Sequence, residues 1–231
     1  MEKRIILVGV GHVFNISTQV EGIIDTVNPD VVALELDKNR LSFLLNPSTK
    51  RDGIPLFYLI LSKIQRKIAK MYGVTTGSEM VACVKKAEDK GIGILCIDMD
   101  ARLVAERLWR EISFKKKMMF VLGSIFSIFI TKKKIENELR AFEDKPFSYF
   151  NQISIQFPEF NKILIDDRNE FMYNKLLKAL DIYDVIVAFV GEGHILGLQK
   201  LLESKVSMTA VHLKDLRENN WKEKLSEGNP V

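Results

Sequence analysis

The sequence predicts an α/β fold, a central largely parallel or mixed sheet flanked by helices. Three observations carry that expectation. Short continuous apolar runs rich in Val and Ile (Ile5–Val8, Val31–Leu36, Ile94–Ile97, Val185–Val190, Val206–Leu213) alternate with segments of helical spacing, the pattern of βαβ units whose strands are buried on both faces. Gly, Asn and Pro punctuate the run ends, as at Asn28-Pro29-Asp30, Gly73 and Gly91. A four-residue phrase, Gly-x-Gly-His, follows the first run (Gly9-Val10-Gly11-His12) and returns after the fourth (Gly191-Glu192-Gly193-His194). The echo predicts two related halves within a single domain covering residues 1–231.

Taken in order, Ile5–Val8 reads as the first strand. Thr18-x-x-Glu21 has the form of a capping box, opening a helix to about Val27. Val31–Leu36 is the second strand, and Asp37–Leu45 a short helix. Leu56–Met71 has helical spacing, and Thr76-x-x-Glu79 is a second capping-box candidate for a helix ending at Lys90. Ile94–Ile97 is a third strand, after which Asp100 caps a helix to about Ile112. The stretch from about 114 to 160, rich in Phe and Lys with few strand signals, reads as a helical insertion. Pro158–Leu180 carries the apolar stripe of a long helix. Strand, helix and strand then follow at 185–190, 195–203 and 206–213, and the polar residues from about 214 to 231 read as a peripheral tail.

Composition narrows the function classes. In 231 residues, 34 basic groups stand against 30 acidic ones, a net +4 too small to mark a nucleic-acid binder, and no such motif occurs. Cys83 and Cys96 fall in core-like stretches without a CxxC pair, which fits small apolar roles in a reducing compartment. The start of the sequence shows no signal-peptide pattern, so a cytoplasmic location is expected. The apolar run Met118–Ile130 is shorter than the ~20 residues a bilayer requires. Lysine triplets flank it at 115–117 and 132–134. Three readings stay open for 115–134: a buried helix with solvated ends, an interface between copies of the chain, or peripheral contact with an anionic membrane surface.

Ligands of parallel sheets bind beyond the carboxyl ends of the strands. His12 and His194 both belong there, as metal ligands or general bases. Their glycines, Gly9, Gly11, Gly191 and Gly193, are expected to allow a sharp turn at positive φ and to leave room for a ligand. Glu35 interrupts an apolar strand near its carboxyl end, which suggests a metal ligand, a general base or an ion pair with Arg40 or Arg168. Glu79 reads equally as a site residue or as a helix cap, Arg168 as a clamp for an anionic group or as the partner of Glu35, and His212 as structural.

These phrases share an order with a known family. Gly9-Val10-Gly11-His12, Pro29-Asp30-Val31-Val32-Ala33-Leu34-Glu35-Leu36-Asp37 with Arg40, Gly77-Ser78-Glu79-Met80, Asp167-Arg168-Asn169 with Met172, and Val190-Gly191-Glu192-Gly193-His194 with Gly197 resemble the TraB family from about residue 5 to residue 213. That family includes pheromone-shutdown proteins and is related to the Tiki metalloproteases. The resemblance implies a metal-dependent hydrolase, a peptidase acting on small or signalling peptides. It implies a divalent ion (Mn, Co or Zn) on His12, His194 and Glu35, with catalytic roles for Glu35, Arg168 and Glu79. Gly9, Gly11, Gly191, Gly193 and Arg40 would then line the ligand. The alternative is a non-catalytic protein of the pheromone-shutdown type that binds a peptide or small ligand. The family pattern also has an Asp-Arg phrase near Asp98, where Met99 takes the arginine position.

Overall fold

The computed structural model describes residues 3–11, 14–46, 75–119 and 158–227, with isolated positions between them. Most of the expected helix over Leu56–Met71, most of the insertion and most of 115–134 lie outside the described residues, while Lys63, Arg66, Lys67, Ala69 and Lys70 are helical as expected.

Five strands form one sheet, β1 (Arg4–Val10), β2 (Val31–Leu34), β3 (Gly93–Cys96), β4 (Val185–Gly191) and β5 (Ser207–Val211), in the order β3-β2-β4-β1-β5. Every pairing is parallel, so the sheet is not mixed. The three inner strands are the most apolar and are buried on both faces, whereas β3 and β5 form the half-exposed edges.

Side-chain alternation splits the core in two. Ile6, Val8, Val10, Val32, Leu34, Val187 and Phe189 face one layer, built from α1 (Ser17–Val27) and α3 (Ser78–Asp89). Ile5, Leu7, Val31, Ala33, Ile186, Ala188 and Val190 face the other, built from α6 (Asp167–Leu180) and α7 (Glu192–Leu202). A smaller cluster joins α4 (Ala101–Glu111) to the long helical stretch that includes α5 (Pro158–Asn161), through Val104, Leu108, Ile112 and Ile163. The last layer element of the first face is α9 (Trp221–Glu227), which follows α8 (Leu213–Glu218). Trp221 and Leu225 are buried there, and the indole packs where a Cβ on Gly22 of α1 would sit. The stretch expected as a polar peripheral tail therefore contributes to the core. α2 (Lys38–Leu45) follows the carboxyl end of β2.

Neither capping box forms as read. α1 begins at Ser17, after the buried Ile16, with no side-chain cap. Burial of Phe14 and Ile16 sets its entry, and Thr18 is already inside the helix. α3 begins after Gly77, whose φ of 82° is a left-handed conformation suited to glycine, so Glu79 is its second residue. Asp37 and Asp100 do cap α2 and α4, accepting from Arg40 N and from Arg102 N and Leu103 N. Pro158–Leu180 is continuous helix with one π turn at Lys162–Asp166, immediately before Arg168 and Asn169. Single π turns are frequent at functional sites, where they re-aim the side chains that follow.

The chain leaves β1 for α1 on one face and leaves β4 for α7 on the other. β1 and β4 are neighbours, so their carboxyl ends flank a topological switch point, the crevice where open α/β sheets bind ligands. Gly9–Gly11 of the first phrase and Gly191–His194 of the second meet at this crevice. Their local structures differ. Val10 pairs with Gly191, one residue out of step, and α7 starts directly at Glu192, whereas α1 starts only at Ser17. Among the described residues, no helix is long and apolar enough to cross a membrane.

Candidate functional site at the carboxyl edge

Helices that connect parallel strands run antiparallel to them, so the N-termini of α1, α3, α6 and α7 all lie at the carboxyl edge. Each brings a partial positive charge. Glu35, Asp37, Glu79, Asp98 and Glu192 supply negative charge at the same edge.

Glu35 follows the last residue of β2 and shares the face of Ala33, toward α6 and α7. It is 5% exposed. One oxygen accepts from Arg168 Nη2 and the other from the backbone N–H of Gly191. A Cβ on Gly191 would lie 3.1 Å from that second oxygen, so glycine is what lets the carboxylate close on the strand end. Arg168 is also held on several sides. Its Nε and Nη2 fork onto the two oxygens of Asp98 (2.9 and 2.8 Å), and Nη1 donates to the Leu164 carbonyl (3.1 Å). The two carboxylates hold this buried guanidinium firmly in its charged form, offsetting the desolvation that opposes it. Arg40 stands 3.4 Å from the same Asp98 and remains a quarter exposed. Of the two ion pairs open to Glu35 in the sequence, the structure selects Arg168, while Arg40 goes to Asp98.

His194 is the third residue of α7 and is 4% exposed. Its Nδ1 lies 2.7 Å from the side-chain oxygen of Asn169, which can only accept, so Nδ1 carries the proton. That leaves the lone pair on Nε2, which is 3.4 Å from a Glu35 oxygen. Two ligands ~2.1 Å from a tetrahedral ion lie about 3.4 Å apart, and an imidazole held through its other nitrogen is the usual arrangement of a ligating histidine. The pair therefore has the chemistry and spacing to share a divalent cation. His12 lies outside the described residues. Among the described residues, no group of three or more His, Cys, Asp and Glu is arranged as a metal site.

The glycines have a different purpose from the expected one. Among the described residues, positive φ glycines are Gly73, Gly77 and Gly91, so the glycines of the two phrases do not serve through left-handed turns. They admit protein atoms. A Cβ on Gly9 would meet a Glu192 carboxylate oxygen at 2.0 Å, and one on Gly11 would meet Leu213 and Phe14 at 2.9 Å. Gly193 is simply the second residue of α7. Glu79 is completely buried at the start of α3, on the opposite face of the sheet from His194.

Sequence reasoning missed Asp98, Asn169 and the Glu192–His212 pair. The Asp-Arg pattern, with Met99 in the arginine position, was the one pointer to Asp98. Asn169 was visible only as the neighbour of Arg168. His212 precedes α8, with Nδ1 2.7 Å from Glu192, whose second oxygen accepts from Leu213 N (2.7 Å). This carboxylate raises the His212 pKa above its ordinary 6.5. Stability from the pair should be fully present below pH 6.5 and lost as pH rises through the raised value. Denaturant midpoints should therefore fall between pH 6 and 8.5, by less in a Glu192→Gln variant. An equal fall in both proteins would count against the pair.

The comparisons with known proteins agree with this frame. The model of the TraB/PrgY/gumN family matches residues 2–205. The chain belongs to the TraB/PrgY/gumN family. It is also similar to the uncharacterized protein MJ1365 of Methanocaldococcus jannaschii, at 29% identity over 230 residues covering 93% of the chain. The chain spans 57% of that relative's length. The family match takes in every strand except β5, together with Glu35, Asp98, Arg168, Asn169 and His194, while His212 falls beyond it.

Proposed function

We propose that the carboxyl edge is the active site of a divalent-metal-dependent hydrolase acting on small peptides. The observation that carries this reading is the orientation of His194, whose Nδ1 is given to Asn169 and whose Nε2 is turned to Glu35 at 3.4 Å. His194 and Glu35 would hold the ion, with His12 of the first phrase as the third ligand. Nitrogen and oxygen donors of this kind suit Mn²⁺, Co²⁺ or Zn²⁺. Such an ion polarises a carbonyl and eases deprotonation of water. Glu35 is better placed as a ligand than as a general base, because both its oxygens already accept hydrogen bonds that fix the carboxylate in place. Arg168, spent on Asp98 and Glu35, positions the ligand set and does not clamp a substrate. Arg40, partly exposed, is the better candidate to meet an anionic group of the peptide.

Purified protein should contain a stoichiometric divalent ion, and His194→Ala and His12→Ala should each lose it. Both should also stop cleavage of an oligopeptide mixture followed by mass spectrometry in the presence of Mn²⁺ or Co²⁺. Wild-type metal content and turnover in both variants would refute the assignment. The hydrogen bonds that already occupy Glu35 give a second reading some support, a protein that binds a peptide without cleaving it. Stoichiometric binding with no consumption of the peptides would favour that reading.

A further inference from the structure

The first turn of α7 carries two imidazole–carboxylate pairs pointing in opposite senses. His194 faces Glu35 at the end of β2, and Glu192 faces His212 at the end of β5. We propose that His212 is a second catalytic imidazole of this edge, the proton donor to the leaving group of the substrate. The inference rests on the hydrolase reading above and lies outside the part of the chain that the family model matches.

The geometry is that of an oriented acid–base histidine. One Glu192 oxygen takes His212 Nδ1 at 2.7 Å, and the other is pinned by the Leu213 N–H at 2.7 Å, so the carboxylate cannot turn away. The backbone N–H of His212 is in turn fixed by Asp215 (2.8 Å). With Nδ1 occupied, Nε2 is the nitrogen left to meet a ligand, and the side chain is 37% exposed. The position also suits the role. β5 lies two strands from β4, roughly 10 Å at the usual spacing. Glu192, however, starts at the end of β4 and lays its carboxylate over Gly9 of β1, which draws the His212 ring toward the crevice between β1 and β4.

Glu35, Arg168 and His194 are not placed to supply a proton. Glu35 accepts on both oxygens, Arg168 is an arginine fixed by two carboxylates, and the Nδ1 proton of His194 is committed to Asn169. His212 is held toward its cationic form by Glu192 and Asp215, opposed by burial and by Lys224 of α9. In the step, water adds to the acyl carbon, and the C–N bond breaks with its electron pair on nitrogen. That nitrogen takes the Nε2 proton of His212. Solvent accepts the proton lost by water and returns one to the imidazole, so the sum is amide plus water giving acid plus amine.

A leaving-group comparison tests this. The acyl portion of a peptide found to be cleaved by the metal-loaded protein is joined once to an alkylamine and once to 4-nitrophenol. An amine needs a proton to depart and a nitrophenolate does not. His212→Gln should slow the alkylamide about 100-fold, remove the fall in its rate above the His212 pKa, and change the ester rate little. Metal content should match wild type. Glu192→Gln, close to isosteric, should give the same pattern more weakly. Equal losses on both substrates, or none on either, would overturn the role of His212 while leaving the hydrolase reading intact. Absence of wild-type turnover on any peptide would overturn both.

Discussion

Replacing Arg168 with methionine should destabilise the protein by about 3–5 kcal/mol, the range for removing one member of a buried ion pair. Methionine keeps much of the arginine stem's volume and removes the charge that faces both Glu35 and Asp98. These carboxylates are 5% and 7% exposed. Without the guanidinium, Asp98 retains Arg40 at 3.4 Å and the Met99 N–H at 2.8 Å, and Glu35 retains the Gly191 N–H. Neither set neutralises two buried charges. Folded domains are stable by only ~5–15 kcal/mol, so this single change would remove a large share. Urea unfolding of Arg168→Met, Asp98→Asn and the double variant measures it. The double variant should lose well under the sum of the two single losses, since Asp98→Asn removes a charge that Arg168→Met strands. Arg168→Lys should fall between, because an ammonium cannot fork onto Asp98. A loss below ~1 kcal/mol for Arg168→Met would mean the cation does not hold the pair together.

Arg168 also marks how far the sequence could be read. The strands were legible because inner parallel strands need apolar side chains on both faces, and that requirement leaves uninterrupted Val and Ile runs. Glu35 was legible for the same reason, as a charge in a place that excludes charge. The sequence limited the partner of Glu35 to Arg40 or Arg168. The π turn at Lys162–Asp166 decides where residues 168 and 169 point, and it leaves no signature in hydrophobic periodicity. Asp98 and Glu192 were obscured because each looks like an ordinary polar residue at a strand end. Their roles depend on which strands become neighbours. The chain order β1 to β5 does not disclose that β4 inserts between β1 and β2, and this insertion is what places Gly191 against Glu35 and Glu192 over Gly9. The capping boxes failed for a local reason, since buried Ile16 and left-handed Gly77 set the helix starts before the capping side chains could. The glycines of the two phrases do not take the positive φ expected of them. Gly9 and Gly191 make room for carboxylates of the protein itself, and Gly11 for Leu213 and Phe14.

Gly197 extends that explanation to a quantitative expectation. It sits on α7, and a Cβ added there would lie 2.1 Å from Nδ2 of Asn169 and 3.1 Å from its Cγ. Asn169 is 3% exposed between α6 and α7, and its oxygen holds His194. The amide cannot yield to a methyl group without leaving the imidazole. Gly197→Ala should therefore cost about 1–3 kcal/mol in stability from overpacking, and divalent-ion affinity should fall by about 10–100-fold as His194 loses its orienting partner. A second substitution separates the two effects. Asn169→Ala removes the clashing atoms, since the Asn169 Cβ is 3.8 Å from the added carbon. Combined with Gly197→Ala it should restore much of the lost stability and none of the lost affinity. Calorimetric metal titration beside urea unfolding reads both quantities on the same samples. Recovery of metal affinity in the double variant would show that Asn169 does not orient His194, and that the cost of Gly197→Ala is packing between two helices alone.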